Sequence, residues 1–183
     1  MPLFTDMKKK NNIAYKTALL GILCGLALAL GFLESLLPPI PWLPPGAKPG
    51  FSNIITMFTA GSLGFPAAAA IALAKSGLAF VTRGATAGIM SLSGGILSAA
   101  AMYLLMRYAR KALGLIGISV ICALCHNLGQ LFAAVFITGT ANIIYYAPAL
   151  AVFGIFTGAV TGIVLKAVIP PLEKLKLLLI KNK

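Results

Sequence analysis

Residues 53–81, NIITMFTAGSLGFPAAAAIALAKSGLAFV, decide the fold, because they read either as one long apolar helix or as two short ones. The break, if there is one, falls at Gly64-Phe65-Pro66. Proline has no amide donor and glycine reaches backbone angles closed to other residues, so the pair favours a turn. Charge decides more firmly than propensity. With the stretch split, the chain has six spans. An inside N-terminus then puts four basic groups on one side: Lys8, Lys9 and Lys10 with Lys16; Arg107, Arg110 and Lys111; Lys166; and Lys174, Lys176, Lys181 and Lys183. Only Lys48 and Arg83 are left for the other side, with Lys75 within a span. With five spans, the Arg107 cluster and the basic tail face outwards, against the positive-inside rule. The sequence therefore predicts helices over 14–37, 53–63, 66–82, 88–107, 114–138 and 141–168. The second and third are short for a bilayer and need shielding by their neighbours.

The rest of the chain supports a membrane setting. The run at 115–138, like those at 18–37, 89–106 and 143–165, is long enough to cross, since a span takes about 20 residues at about 1.5 Å each. The chain is 60% hydrophobic and 10% charged with a mean hydropathy of +0.98, whereas soluble domains are roughly 25% charged. The reading is an all-α integral membrane protein, a six-transmembrane-helix bundle. It forms a single membrane domain over 1–183: a cytoplasmic arm at 1–13, the bundle at 14–168 and a basic cytoplasmic tail at 169–183. Pro170 and Pro171 should end the sixth helix, and the Leu/Lys mixture after them suits an interfacial helix or a solvated basic end. Net charge is +12, but the cations gather at the ends of apolar runs rather than along one face, which argues against nucleic acid. The basic N-terminus lacks an A-x-A-type cleavage site and reads as the start of a retained first helix. Cys24, Cys122 and Cys125 all lie within spans and give no disulfide framework; the C-x-x-C at 122–125 reads as helix packing. A lone histidine and few acids offer no metal site, and no cofactor is expected.

Ionisable groups inside a bilayer are expensive and face a cavity or a partner. Lys75 and His126 are therefore the most informative residues. His126 and Gln130 share a helix face, while Asn127 points about 100° away. They bind a ligand or make a buried contact between helices. Gly129 beside them admits a helix or a ligand at close range. The proline-crowded segment 36–53, LLPPIPWLPPGAKPGFSN, cannot be regular helix; it carries Trp42 as an interface anchor, Lys48, and Asn53 as a candidate cap for the second helix. Lys48, Arg83 and Lys75 can gather around one anionic group, or Lys48 and Arg83 can meet lipid headgroups. Glu34 is expected to pair with Lys75 or Arg83, or else to contact a substrate. Small residues at helical spacing, such as Gly21 and Gly25, let helices approach closely.

The order LGFLESLLP, PPGAKPGFSNIIT, RGATAGIMSLSGG and HNLGQL resembles the membrane family called heptaprenyl diphosphate synthase component I, or Gx transporters. That family is similar to the substrate-binding S components of energy-coupling factor (ECF) transporters. The resemblance covers roughly 14–168. It implies a six-helix S-component fold in a bacterial plasma membrane, both termini cytoplasmic, with a substrate pocket opening outwards. Around that pocket it places Lys48 and Asn53 of the loop motif and His126, Asn127 and Gln130 of HNLGQ. It also implies docking on a coupling subunit through small residues of the first helix. Ala14 and Ala18 fit the A-x-x-x-A pattern, with Lys16 between them, and Gly21 and Gly25 offer an equal face.

Two chemistries are excluded on residues alone. Prenyl diphosphate synthases hold magnesium through paired aspartates, and the single aspartate here, Asp6, lies in the arm. No G-x-x-x-x-G-K-[ST] loop is present, so ATP hydrolysis would need separate subunits. The expected role is a non-enzymatic, substrate-binding membrane subunit for a small anionic compound such as a vitamin, a flavin or an isoprenoid-related molecule. It would work with a coupling subunit and ATPases. The alternative is a non-catalytic accessory subunit of a prenyl diphosphate synthase.

Overall fold

A computed structural model describes the backbone of residues 13–36 and 50–181, and side chains over 16–36 and 50–169. Lys48 and Trp42 lie outside the described residues, and so does the side chain of Ala14. The described chain is all-helical: α1 (Ile13–Ser35), α2 (Phe51–Ser62), α3 (Phe65–Arg83), α4 (Ala85–Tyr108), α5 (Arg110–Thr138) and α6 (Ala147–Lys181), with a 3-10 segment at Ala141–Tyr146.

The decisive stretch is split. Gly64 takes φ 93°, and the amides of Leu63 and Gly64 both donate to the Thr59 carbonyl, which closes α2. Pro66 then sits in the first turn of α3, where its missing N–H costs no helical bond. Five helices, α1 and α3 to α6, are long and apolar enough to cross a membrane. α2 is not: its 12 residues reach about 18 Å. It is sheltered instead, in contact with α1, α3, α4 and α6. The apolar exterior fits lipid, with Phe136 90% and Val81 83% exposed.

Three boundaries differ from expectation, each for a local reason. α2 begins at Phe51, so Asn53 lies in its first turn and caps nothing; Gly50, at φ 81°, is the cap position. The sixth α-helix begins at Ala147 because Pro148 cannot donate to Ile144; Ala147 donates there instead, in the tighter 3-10 pattern. At its other end α6 runs through Pro170 and Pro171 rather than stopping at them. The prolines' fixed φ is itself helical, and the carbonyls they leave unbonded belong to Lys166 and Ala167, both exposed. The basic turn before Gly114 is also helical and merges with α5 across a kink at that residue, φ 63°.

α3, α4, α5 and α6 pack each on the next, with α1 leaning on α2 and α3. The main core lies toward the end of the bundle that carries Arg107. Met57, Ala60, Ala68, Ala99, Met102, Ile118, Cys122, Leu165 and Ile169 fill it, and the Cys122 thiol lies 4.0 Å from the Met102 sulfur. The helices cross closely on glycine. A Cβ on Gly129 would stand 2.8 Å from the Ser93 carbonyl oxygen and 2.9 Å from the Gly94 Cα. With that approach the Ser93 hydroxyl donates to the Gly129 carbonyl at 2.7 Å. Gly129 thus admits a neighbouring helix.

Candidate functional site

Toward the opposite end, where α1 stops and α2 starts, the bundle is hollow. A cavity of about 370 Å³ opens there, within the size range of small-molecule sites. Its walls come from all six helices and include Glu34, Asn53, Lys75, Arg83, His126, Asn127 and Gln130. Seven residues singled out from sequence, scattered over four helices, thus face one space.

Each is placed by its helix. Lys75 sits eight residues before Arg83 on α3, so it enters the cavity about 12 Å below that end. Its ammonium donates to Asn53 Oδ1 at 2.6 Å and to Thr56 Oγ1 at 3.4 Å, across to α2. An ammonium has three donors, so these two neutral acceptors leave one unmatched. Arg83, at the α3 terminus, is exposed at the mouth. His126 is twelve residues before the end of α5, about 18 Å deep by the same rise. Its ring lies against bare backbone: a Cβ on Gly94 would come within 3.0 Å of His126 Cε1. Nδ1 of His126 is buried and has no hydrogen-bond partner among the described residues. Such an orphan costs free energy unless something else satisfies it.

Two residues do something other than expected. Asn127 donates through Nδ2 to the Leu150 carbonyl at 2.8 Å while still lining the cavity. Gly154 makes room for it, since a Cβ there would sit 2.8 Å from that nitrogen. Among the described residues Glu34 makes direct ionic contact with neither Lys75 nor Arg83, although its charge acts on both. Its two carboxylate oxygens accept from the backbone amide of Ser52 at 3.3 Å and from the Ser52 hydroxyl at 3.1 Å. The physical reason is the start of α2, where Gly50 supplies no side-chain cap. First-turn amides need an acceptor, and the helix dipole favours an anion there. Glu34 therefore caps α2 from α1. Glu34→Ala should destabilise the protein by about 2 kcal/mol, the scale of a buried hydrogen bond to a charge. Thermal unfolding in detergent checks this, with Ser35→Ala, on a hydroxyl bonded only to the Phe32 carbonyl, as the near-neutral control.

Sequence reasoning missed Ser52, Ser91, Ser98, Thr157 and Thr161, all in the cavity wall. A signal was present. Thr157 and Thr161 are one turn apart in the part of α6 over 147–165, which is otherwise apolar, and Ser91 and Ser98 are two turns apart on α4. Both threonine hydroxyls donate to carbonyls of their own helix, at 3.0 Å and 2.8 Å, and keep acceptor capacity for the cavity. The small residues of α1 lie elsewhere. Ala18, Gly21 and Gly25 are exposed, and a Cβ on either glycine would meet nothing within 4 Å.

No curated protein and no solved structure matches the chain. The family model described as heptaprenyl diphosphate synthase component I matches residues 23–168, which takes in α2 to α5, parts of α1 and α6, and the whole described cavity wall. On that match the chain is a membrane protein belonging to the heptaprenyl diphosphate synthase component I family.

Proposed function

We propose that the protein is the substrate-binding subunit of an uptake transporter, of the S-component kind, for a small anionic compound such as a vitamin, a flavin or an isoprenoid-related molecule. The observation that carries this reading is the cavity. It is walled by polar groups from all six helices, with the Lys75 ammonium and the His126 ring at depth. Helix-locking contacts would consume such groups among themselves; Lys75 keeps a donor, and Thr157 and Thr161 keep acceptor capacity, in the wall of an open space. In this reading α2 counts as the second of six spans, both termini are cytoplasmic and the cavity opens outwards from a bacterial plasma membrane. The positive-inside distribution supports that orientation.

Energy would come from a coupling subunit and ATPases. Ala14, Ala18, Gly21 and Gly25 form the docking stripe on α1, and its open surface is compatible with a partner helix. Gly21→Leu should then leave folding and ligand retention unchanged while lowering co-purification of the coupling subunit about tenfold or more, as a clash at a packed helix crossing does. Equal recovery of the complex from Gly21→Leu and Gly25→Leu would remove this stripe from the account.

His126→Ala and Lys48→Ala test the site. Each should abolish retention of the small molecule through purification, with helix content and monodispersity kept, and chromatography of the extracted ligand reads the result. Retention in both variants would refute the assignment. The family description favours a second reading, an accessory subunit that holds or presents a prenyl chain to a soluble, aspartate-rich synthase. That reading requires the synthase to lose activity without this chain; full activity of the synthase alone would end it.

A further inference from the structure

We infer that the cavity takes an elongated small molecule whose terminal carboxylate or phosphate enters first and seats on Lys75; this rests on the binding role proposed above. The walls are layered along the bundle axis. Arg83, Thr82 and Thr86 stand at the mouth, where α3 meets α4. One to two turns below come the apolar Leu78, Ala79 and Met90. Deeper still are Lys75, Gln130, His126 and Thr157.

The two cations are not equivalent. Arg83 is exposed, so an anion there competes with water, headgroups and salt and gains little. Lys75 is inside the span; among the described residues its only bonded neighbours are the neutral oxygens of Asn53 and Thr56, which leave one N–H unmatched. The nearest candidate counter-ion, Glu34, has both oxygens engaged by Ser52. Glu34 lines the same cavity and its charge acts on Lys75, but among the described residues no carboxylate bonds the ammonium directly, so the place of a direct ionic partner is open to a ligand, in surroundings where a charge pair is worth most. Gln130 and the Thr157 hydroxyl, both in the wall, give the inner layer further polar contacts. The apolar collar above suits the uncharged body of the ligand, whose far end stays at the polar mouth. A ligand entering the other way round would put its apolar body on an ammonium and these polar groups, and its charge in water.

The test uses the full-length protein in nanodiscs and three matched probes: 4-phenylbutyrate, 4-phenylbutyl phosphate and the neutral 4-phenylbutyramide. Binding is measured by equilibrium dialysis to wild type, Lys75→Gln and Arg83→Gln, each checked for helix content. One of the two anions should bind wild type at least about tenfold tighter than the amide, as expected for a charge-assisted hydrogen bond. Whichever anion is tighter tells carboxylate from phosphate. Lys75→Gln should erase that preference, and Arg83→Gln should leave most of it. Binding of neither anion more tightly than the amide to wild type, or a larger loss in Arg83→Gln than in Lys75→Gln, would overturn the orientation. If no probe binds, the molecule extracted from the purified protein decides. An anion lost in Lys75→Gln supports the inference, and a neutral molecule overturns it alone. No extractable molecule at all overturns the binding role with it.

Discussion

In Lys75→Met, ligand retention is expected to fall about tenfold to a hundredfold, while the empty protein unfolds no earlier than the wild type. The two halves of this result have one cause. The Lys75 ammonium stands within a span with only neutral oxygens bonded to it among the described residues, so the folded protein bears a desolvation cost that the attraction of the more distant Glu34 offsets only in part. Methionine keeps the unbranched shape and removes the charge. Asn53 Oδ1 loses a donor but faces the cavity, where water can replace it. A site group that weakens the fold it sits in is a mark of function. Thermal unfolding of ligand-stripped protein, set beside ligand retention, checks both halves. If Lys75→Met unfolds well below the wild type and still retains ligand, Lys75 is a helix-locking residue.

The largest structural effect is expected at Gly129. Gly129→Leu should prevent recovery of a monodisperse protein, with a cost above about 3 kcal/mol, the upper end for overpacking. The new Cβ alone would stand within 3.0 Å of three backbone atoms of Ser93 and Gly94, and backbone cannot rotate away as a side chain can. α4 and α5 would have to separate, breaking the bond from Ser93 to the Gly129 carbonyl and moving His126 off Gly94. The same substitution at Gly21 meets open space and serves as the control. Size-exclusion profiles of the two variants, expressed in parallel, give the answer.

Much of the fold was legible because its signals are local or one-dimensional. The break at Gly64-Phe65-Pro66 comes from two residue types whose backbone limits are intrinsic, and charge spacing alone gives the expected side of each loop. What the sequence did not reveal depends on what one helix offers another. Glu34 looked like half of an ion pair; only the bare first turn of α2, brought beside α1, makes a backbone amide its partner. Gly129 looked equally ready for a ligand or a helix, and the register of α4 against α5 decides for the helix. For the site, Lys75 and His126 stood out because charge and imidazole are rare in spans. Ser98 and Thr161 did not, because a hydroxyl in a membrane helix can bond its own backbone and so advertises nothing. Proline, too, misled at 170–171: its φ is helical, and its cost depends on whether the carbonyls it strands are buried.

Native mass spectrometry of the gently purified wild-type protein, released from nanodiscs, tests the central claim most directly. The account predicts one stoichiometric small-molecule adduct per chain, an anion on extraction, and its absence from His126→Ala. A bare chain, or one carrying only phospholipid in wild type and variant alike, would contradict it.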